Sequence, residues 1–189
     1  MTKADMSAIT TSRDSRLNKA ATEFLAAFES LSSDALEARP DANSWSRRQV
    51  VEHILLTYSS TAREMERRLA KGAATSRPRK WKERMVQFLL IGCGYFPRGR
   101  KAPDMVNPVQ HVQPPRDGAA LATEFRERLA EMEAAISQAE STWGSKVAVA
   151  AHFRLGPLTA RQWRRFHAVH ARHHRKQIER IAAAIPTAS

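Results

Sequence analysis

Four of the seven histidines of this chain fall close together near the C-terminus, in the stretch RFHAVHARHHRKQIERI. Neutral imidazole is a good ligand for zinc, nickel, copper and iron. Two ligands on one helix must lie three or four residues apart to share a face. His170 and His174 meet this condition, and His167 lies on the same stripe, whereas His173 lies toward its flank. The spacing therefore indicates His170 and His174 as a candidate ligand pair.

A third ligand must come from elsewhere in the chain, because two imidazoles do not hold a metal tightly. His53 is the candidate, on the flank of an apolar helical stripe that includes Val51 and Leu55. A histidine in that position must face a second neighbour or a cleft. On spacing alone, two alternatives stay open: solvated surface histidines, and histidines bonded to backbone at the edge of the core. The chain lacks the glutamate of HExxH here, which argues against a protease-type zinc site.

Hydrophobic periodicity predicts four long amphipathic helices, and the clustered histidines lie on the last of them. Capping boxes, SRRQ at Ser46 and TARQ at Thr159, mark the starts of the second and fourth helices. No segment shows convincing strand alternation. We therefore predict an all-α fold, a four-helix bundle, with helices over Arg13 to Ser33, Ser46 to about Ala70, about Gly118 to Gln138, and Thr159 to about Ala184.

Residues 72–116 interrupt this pattern. We predict a short extra helix around Lys80 to Ile91 with its apolar residues on one side: Trp81, Met85, Phe88 and Leu89. A long crossover rich in proline and glycine follows it and forbids a long helix. The short helix is expected to pack over the bundle. The alternative is peripheral membrane contact by RKWKERMVQFLLIG, whose basic and apolar sides suit an interfacial helix.

The length of 189 residues predicts one domain over residues 1–189. Its ordered core should span about 13–184, with flexible ends at 1–12 and 185–189. The N-terminal residues lack the apolar run of a signal peptide, and no apolar stretch approaches the roughly 20 residues that span a bilayer. The single cysteine, Cys93, excludes an intrachain disulfide. We therefore predict a cytoplasmic protein.

The formal net charge is +12, and the basic excess is greatest in residues 63–101 and 154–180. Such a balance favours anionic partners, namely nucleic acid, anionic lipid or an acidic small molecule. Arg161, Arg165 and Arg172 could attract an acidic co-substrate. An arginine-rich solvated surface is the alternative explanation, because charge asymmetry alone is a weak pointer to a ligand.

Two stretches, WSRRQVVEHILLTYSS and GPLTARQWRRFHAVHARHHRKQI, together resemble the DinB-like (YfiT-like) superfamily of helical bundles. The first resembles a helix that bears one metal-binding histidine after a tryptophan. The second resembles the family's last helix, where a histidine pair at four-residue spacing follows a G-x-L-T turn. The segment KAPDMVNPVQ resembles the proline-bearing loop of one branch. The resemblance covers residues from about Ser44 to Ile181.

The resemblance implies a divalent metal ion, most often nickel or zinc, held by three histidines. By position these are His53, His170 and His174. Three protein ligands leave coordination positions open for water or substrate. Known members include transferases that use low-molecular-weight thiols and a mycothiol-dependent isomerase branch. Beside the ligands, His167 and Gln177 are candidates to line the pocket, with burial inside the bundle as the alternative for Gln177.

The predicted function is therefore that of a metal-dependent enzyme, either a transferase acting with a low-molecular-weight thiol on an electrophilic small molecule or a hydrolase-like enzyme. The alternative is a non-catalytic basic module that binds nucleic acid or another anionic partner, although no recognisable nucleic-acid motif appears. An exposed helical face could also support a homodimer. Sequence names neither the metal, the thiol nor the electrophile.

Overall fold

The computed structural model describes residues 13–75, 77–97, 101–111 and 113–185. Of the predicted flexible ends, only Ile185 lies within the described residues. No helix in these ranges is both long enough and apolar enough to cross a membrane. The helices are α1 (Ser15–Ala26), α2 (Ser33–Glu37), α3 (Arg47–Ala70), α4 (Trp81–Gln87), α5 (Gly118–Trp143) and α6 (Ala160–Ala184), and the strands are β1 (Ala148–His152) and β2 (Gly156–Thr159).

The core lies between the four long helices. Helix α3 packs on α5 and α1 packs on α6, and further contacts join α6 to both α3 and α5. An aromatic cluster of Phe24, Phe28, Tyr58 and Phe125 fills the centre, with ring centroids 5.4 to 6.0 Å apart. Val51 and Leu55, on the predicted apolar stripe of α3, are buried, as their helical spacing requires.

Both predicted capping boxes are confirmed. The Ser46 hydroxyl accepts a hydrogen bond from the Gln49 backbone N–H at 3.2 Å, and the Ser46 N–H donates to Gln49 Oε1 at 2.9 Å. Thr159 and Gln162 form the same pair of bonds at 3.3 and 3.0 Å. These bonds fix the starts of α3 and α6, and so the faces on which their histidines lie.

The prediction of one helix from Arg13 to Ser33 is wrong. Helix α1 ends at Ala26, and a separate short helix, α2, begins at Ser33. The start of α5 uses the intervening backbone, since the Gly118 N–H donates to the Leu31 carbonyl at 2.9 Å. A Cβ at Gly118 would lie 2.2 Å from the Phe28 carbonyl oxygen, so only glycine allows this approach.

The all-α prediction is also incomplete, because the fold is mostly helical but contains a small antiparallel sheet. Strand β1 pairs with β2, with Ala150 opposite Leu158 and His152 opposite Gly156. Three successive residues of β2 are buried, so the polar–apolar alternation that marks a half-exposed strand is missing. Helix α5 ends at Trp143, later than the predicted Gln138, and Gly144 follows with a φ of +92°.

The crossover after α4 is ordered against α3. A π-helical turn (Phe88–Gly92) continues α4, and two 3₁₀ turns (Asp104–Val106 and Pro108–Gln110) contact α3. Helix α4 forms where it was predicted, and its π-helical continuation packs on α6, but not through the predicted apolar side. That side is exposed, and the polar residue Gln87 is buried instead.

Candidate metal centre

Helix α3 places His53 on its inner flank, where the side chain is buried. Its Nδ1 lies 2.7 Å from the Val106 carbonyl oxygen, in the first 3₁₀ turn of the crossover. A carbonyl oxygen only accepts, so Nδ1 carries the proton and Nε2 keeps its lone pair. The Trp45 ring, 5.1 Å away between centroids, packs against the imidazole. The crossover and α3 together therefore orient His53 as a ligand through Nε2.

Helix α6 supplies the other two histidines, one turn apart and both buried. His174 Nε2 lies 3.0 Å from His170 Nε2, and His53 Nε2 lies 3.3 Å from the same His170 atom. The ligand atoms of all three residues lie within 4.8 Å of one another. The structure thus brings together the histidine from α3 and the pair from α6, as predicted.

The arrangement fits a bound metal ion. His174 Nδ1 donates to Gln177 Oε1 at 2.8 Å, which leaves Nε2 as an acceptor, as in His53. Facing lone pairs repel one another unless a proton or a cation lies between them. With metal–nitrogen bonds of about 2.0–2.1 Å, neighbouring ligand nitrogens lie about 3.3 Å apart in a tetrahedral site and about 2.9 Å apart in an octahedral one. Two of the three separations, 3.0 and 3.3 Å, match this range.

Two phenyl rings orient His170 in place of a hydrogen bond. Its Nδ1 is buried and has no hydrogen-bond partner within the described residues. The rings of Phe96 and Phe166 lie nearly parallel to the imidazole, at 5.2 and 5.3 Å between centroids. Phe166 precedes His170 by one helical turn, so spacing could have identified it. Phe96 comes from the crossover, and no sequence signal points to it.

The electrostatics of the site favour neutral imidazoles. Burial lowers the pKa of His53, His170 and His174. The neighbouring imidazoles lower the pKa of His170 and His174 further, because a second positive charge within the cluster is unfavourable. Metal ligation requires the neutral form. The site is therefore prepared to accept a cation without first losing protons at neutral pH.

A cavity of about 1400 Å³ opens onto the three histidines. Apolar side chains form much of its wall, including Trp45, Phe96 and Phe166. Basic side chains outnumber acidic ones among its described lining residues, which include Arg67, Arg68, Lys101, Arg154, Arg180, Glu64 and Asp104. The cavity can therefore hold a partly apolar ligand that carries negative charge.

The remaining predicted residues separate into cavity wall and interior. Gln177 lines the cavity and also holds His174. His173, which the spacing placed toward the flank of the stripe, lies at the wall with its ring 4.5 Å from that of Phe96. His167, on α6, is fully buried, with its ring 5.2 Å from that of Tyr58. It is not among the described residues that line the cavity.

Arg161, Arg165 and Arg172 do not line the cavity among the described residues, so the arginines singled out from the sequence are not the ones near the histidines. His152 stabilises the β1–β2 turn, because its Nδ1 accepts from the backbone N–H groups of Arg154 and Leu155 at 3.1 and 3.2 Å. Burial and the nearby Arg154 lower the pKa of His152 to about 4.

A second buried polar cluster lies on α6, and no pattern in the sequence predicted it. The Arg164 guanidinium, which is 3% exposed, donates to Glu133, Glu140 and Ser137 of α5 at 2.7, 2.7 and 2.9 Å. Charged residues occur on every helix of this basic chain, so nothing in the sequence distinguishes this arginine from its exposed neighbours.

Comparison with known proteins agrees with the resemblance. A search against curated proteins and a search against solved structures each gave no match. The family model of the DinB superfamily matches residues 16–178, which include all but the first residue of α1 and all three candidate ligands. The chain therefore belongs to the DinB superfamily.

Proposed function

We propose that this protein binds a divalent metal ion, nickel or zinc, through His53, His170 and His174, and that it transfers a low-molecular-weight thiol to an electrophilic small molecule. The observation that carries the proposal is the convergence of three buried Nε2 atoms, with His170 Nε2 at 3.3 Å from His53 and 3.0 Å from His174. Among the described residues no acidic side chain pairs with these imidazoles and could stabilise a protonated one, so a cation of matching size is the natural partner.

The proposal takes α1, α3, α5 and α6 as the predicted four-helix bundle. The packing of α3 on α5 and of α1 on α6 supports it, as does the contact of α6 with α3. In such a bundle the ligands project inward from facing helices. A site built on two long helices holds its geometry better than one built on loops.

The residues around the candidate site have separate tasks. Val106 and Gln177 fix two imidazoles through their Nδ1 protons, and Phe96 and Phe166 orient the third. When bound, a divalent ion supplies Lewis-acid activation of a thiol or a water. The basic side chains at the cavity wall attract an acidic substrate. The apolar wall excludes water from a bound electrophile. A hydrolase-like reaction would use the same features with water in place of the thiol.

Metal content tests the first half of the proposal. Protein purified without a histidine tag should contain near-stoichiometric nickel or zinc, or take up either after chelation. His53→Ala, His170→Ala and His174→Ala should each abolish retention. His111→Ala is the matched control, because this histidine is exposed and outside the cluster. Folded wild-type protein that binds neither metal would contradict the proposal.

Thiol binding tests the second half. Cobalt-loaded protein should change its visible absorption when cysteine, glutathione or mycothiol is added, since a sulfur ligand alters the spectrum of the ion. The thiol that produces the change should then be consumed in the presence of an electrophilic acceptor. Metal-loaded protein that responds to no thiol would contradict the transferase while leaving the metal site intact.

The basic-module alternative predicts binding to nucleic acid that weakens steeply with salt. In the structure several of the arginines expected to contribute are held in ion pairs, such as Arg67 and Arg68 with Glu64 and Arg77 with Glu83. Heparin retention at low salt would favour this alternative, and its absence would count against it. A homodimer and a cytoplasmic location stay predictions, which sedimentation and fractionation would test.

A further inference from the structure

Helix α4 and its π-helical extension turn an apolar face toward solvent. Trp81, Met85, Phe88 and Leu89 lie on one side of this segment and are 66%, 56%, 67% and 47% exposed. We call these four residues the α4 face. Large apolar side chains are ordinary on a protein surface when they occur singly, but a contiguous group indicates a contact surface.

Polar contacts on the inner side fix this orientation. Gln87 is buried, and its Nε2 donates to the Leu155 and Pro157 carbonyls at 2.6 and 3.2 Å. Gln162 Nε2 donates to Gln87 Oε1 at 3.2 Å. Rotating the segment to bury its aromatic residues would leave these buried groups unpaired, which costs about 1–3 kcal/mol for each group.

Glu83, one turn before Gln87, also faces inward. Its carboxylate accepts from the Lys80 backbone N–H at 2.9 Å and pairs with Arg77 at 2.7 Å. The carboxylate packs against Gly156, where an added Cβ would lie 2.4 Å from it. The polar side of α4 is thus matched to the β1–β2 hairpin, and exposure of the apolar side follows from that fit.

Positive charge accompanies the α4 face. Lys82 and Arg84 are exposed and, among the described residues, form no ion pair. The Lys82 ammonium lies 5.7 Å from the centre of the Trp81 ring. Tryptophan, phenylalanine and leucine beside unpaired lysine and arginine are the composition of helices that lie in a membrane interface.

We propose that the α4 face docks on the surface of an anionic lipid bilayer, independently of the proposed metal function. The aromatic side chains enter the headgroup region while Lys82 and Arg84 contact lipid phosphates. A second copy of the chain is a poorer occupant, because a two-fold contact sets the same patch against itself and brings the unpaired cations of both copies together. The net charge of +12 adds a general attraction to an anionic surface.

Flotation with lipid vesicles tests the proposal on the full chain. Wild-type protein should float with phosphatidylcholine vesicles that contain about one third phosphatidylglycerol, but not with pure phosphatidylcholine. The triple variant Trp81→Ser/Phe88→Ser/Leu89→Ser should stay unbound while its circular dichroism and metal content match the wild type. Val147→Ser, at an apolar position 39% exposed outside this segment, is the matched control for Leu89→Ser and should bind like the wild type.

Charge variants distinguish docking through the α4 face from a general attraction of the basic protein to anionic lipid. Lys82→Gln/Arg84→Gln should lower the partition coefficient on the order of 25-fold, since each cation near an anionic surface contributes about fivefold. Arg16→Gln/Lys19→Gln removes the same charge from exposed positions on α1 and should have a much smaller effect. Quenching of tryptophan fluorescence by brominated lipid should decrease in Trp81→Phe.

Three outcomes would overturn the proposal. The first is wild-type protein that does not float with anionic vesicles at low salt. The second is an equal loss of binding in Lys82→Gln/Arg84→Gln and in Arg16→Gln/Lys19→Gln, because binding would then not involve this face. The third is a lipid-free dimer that the triple variant dissociates and that vesicles do not displace, which would assign the face to a second copy.

Discussion

Two buried polar clusters lie along one stripe of α6, and they differ in how their charges are matched. In the first, Arg164 donates to two glutamates and a serine of α5, so each of its three guanidinium nitrogens meets an acceptor. In the second, His53 and His174 direct Nε2 lone pairs at His170 Nε2, with no acidic partner among the described residues.

The difference separates a structural cluster from a candidate binding site. A buried ion pair with complete hydrogen bonding is closed, and it has no capacity left for a ligand. A cluster of imidazole nitrogens held 3.0 and 3.3 Å apart keeps lone pairs that could bind a cation. Burial alone therefore does not indicate function. Function is indicated by the charges of the groups that face one another and by which of them donate or accept hydrogen bonds.

Removing the Arg164 guanidinium from its ion-pair cluster should have the largest effect on stability. Arg164→Met leaves Glu133 buried without its cation, and we expect the free energy of unfolding to fall by about 3–5 kcal/mol. Urea denaturation measures this loss. Arg161→Met, at an exposed position on the same helix, should change it by less than about 0.5 kcal/mol. Equal effects of the two changes would show that the ion pairs contribute nothing specific.

Binding of a metal ion to the histidine cluster should stabilise the fold. Nickel or zinc at about 100 times its dissociation constant should raise the free energy of unfolding by about 2.7 kcal/mol, because the ion binds the folded state alone. His170→Ala should abolish this increase, and His173→Ala should retain it. Thermal denaturation of chelated and metal-loaded protein measures the difference. A metal-induced increase that persists in His170→Ala would place the ion elsewhere.

His167 lies between the two clusters and should contribute a pH dependence. Burial lowers the pKa of His167 to about 3, whereas an unfolded histidine titrates near 6.5. Below pH 6.5 the unfolded chain binds a proton that the folded protein does not, so stability falls as the pH falls toward about 3. His167→Phe should reduce this slope by up to about 1.4 kcal/mol per pH unit in metal-free protein. Unfolding curves at several pH values measure the slope, and an unchanged slope would contradict the buried neutral state.

The smallest expected effect concerns the hydrogen bond that orients His174 within the histidine cluster. Gln177→Leu removes the acceptor that holds His174 Nδ1 and should weaken metal binding about tenfold, or about 1.4 kcal/mol. Lys176→Leu alters an exposed neighbour and serves as the control. Competition with a chromogenic chelator measures both affinities. Unchanged affinity in Gln177→Leu would show that His174 is oriented without Gln177.

Much of the local structure could be predicted. Residue types at Ser46 and Thr159 specified the helix starts, and four-residue spacing placed His170 and His174 on one face. The position of His53 on the flank of its helix made it a candidate partner, and the resemblance implied the same residue. The first helix was predicted too long because its apolar stripe continues past Ala26, where the docking of Gly118 redirects the backbone.

The sequence by itself determined the helices, their caps and the set of imidazoles, because these depend on residues within one or two turns of one another. Only the tertiary structure decided which acceptor holds His53, which ring stacks on His170, and which side of α4 faces inward. Those choices depend on carbonyls and rings from distant segments, namely the crossover and the β1–β2 hairpin. Helical periodicity describes a face but carries no information about what packs against it.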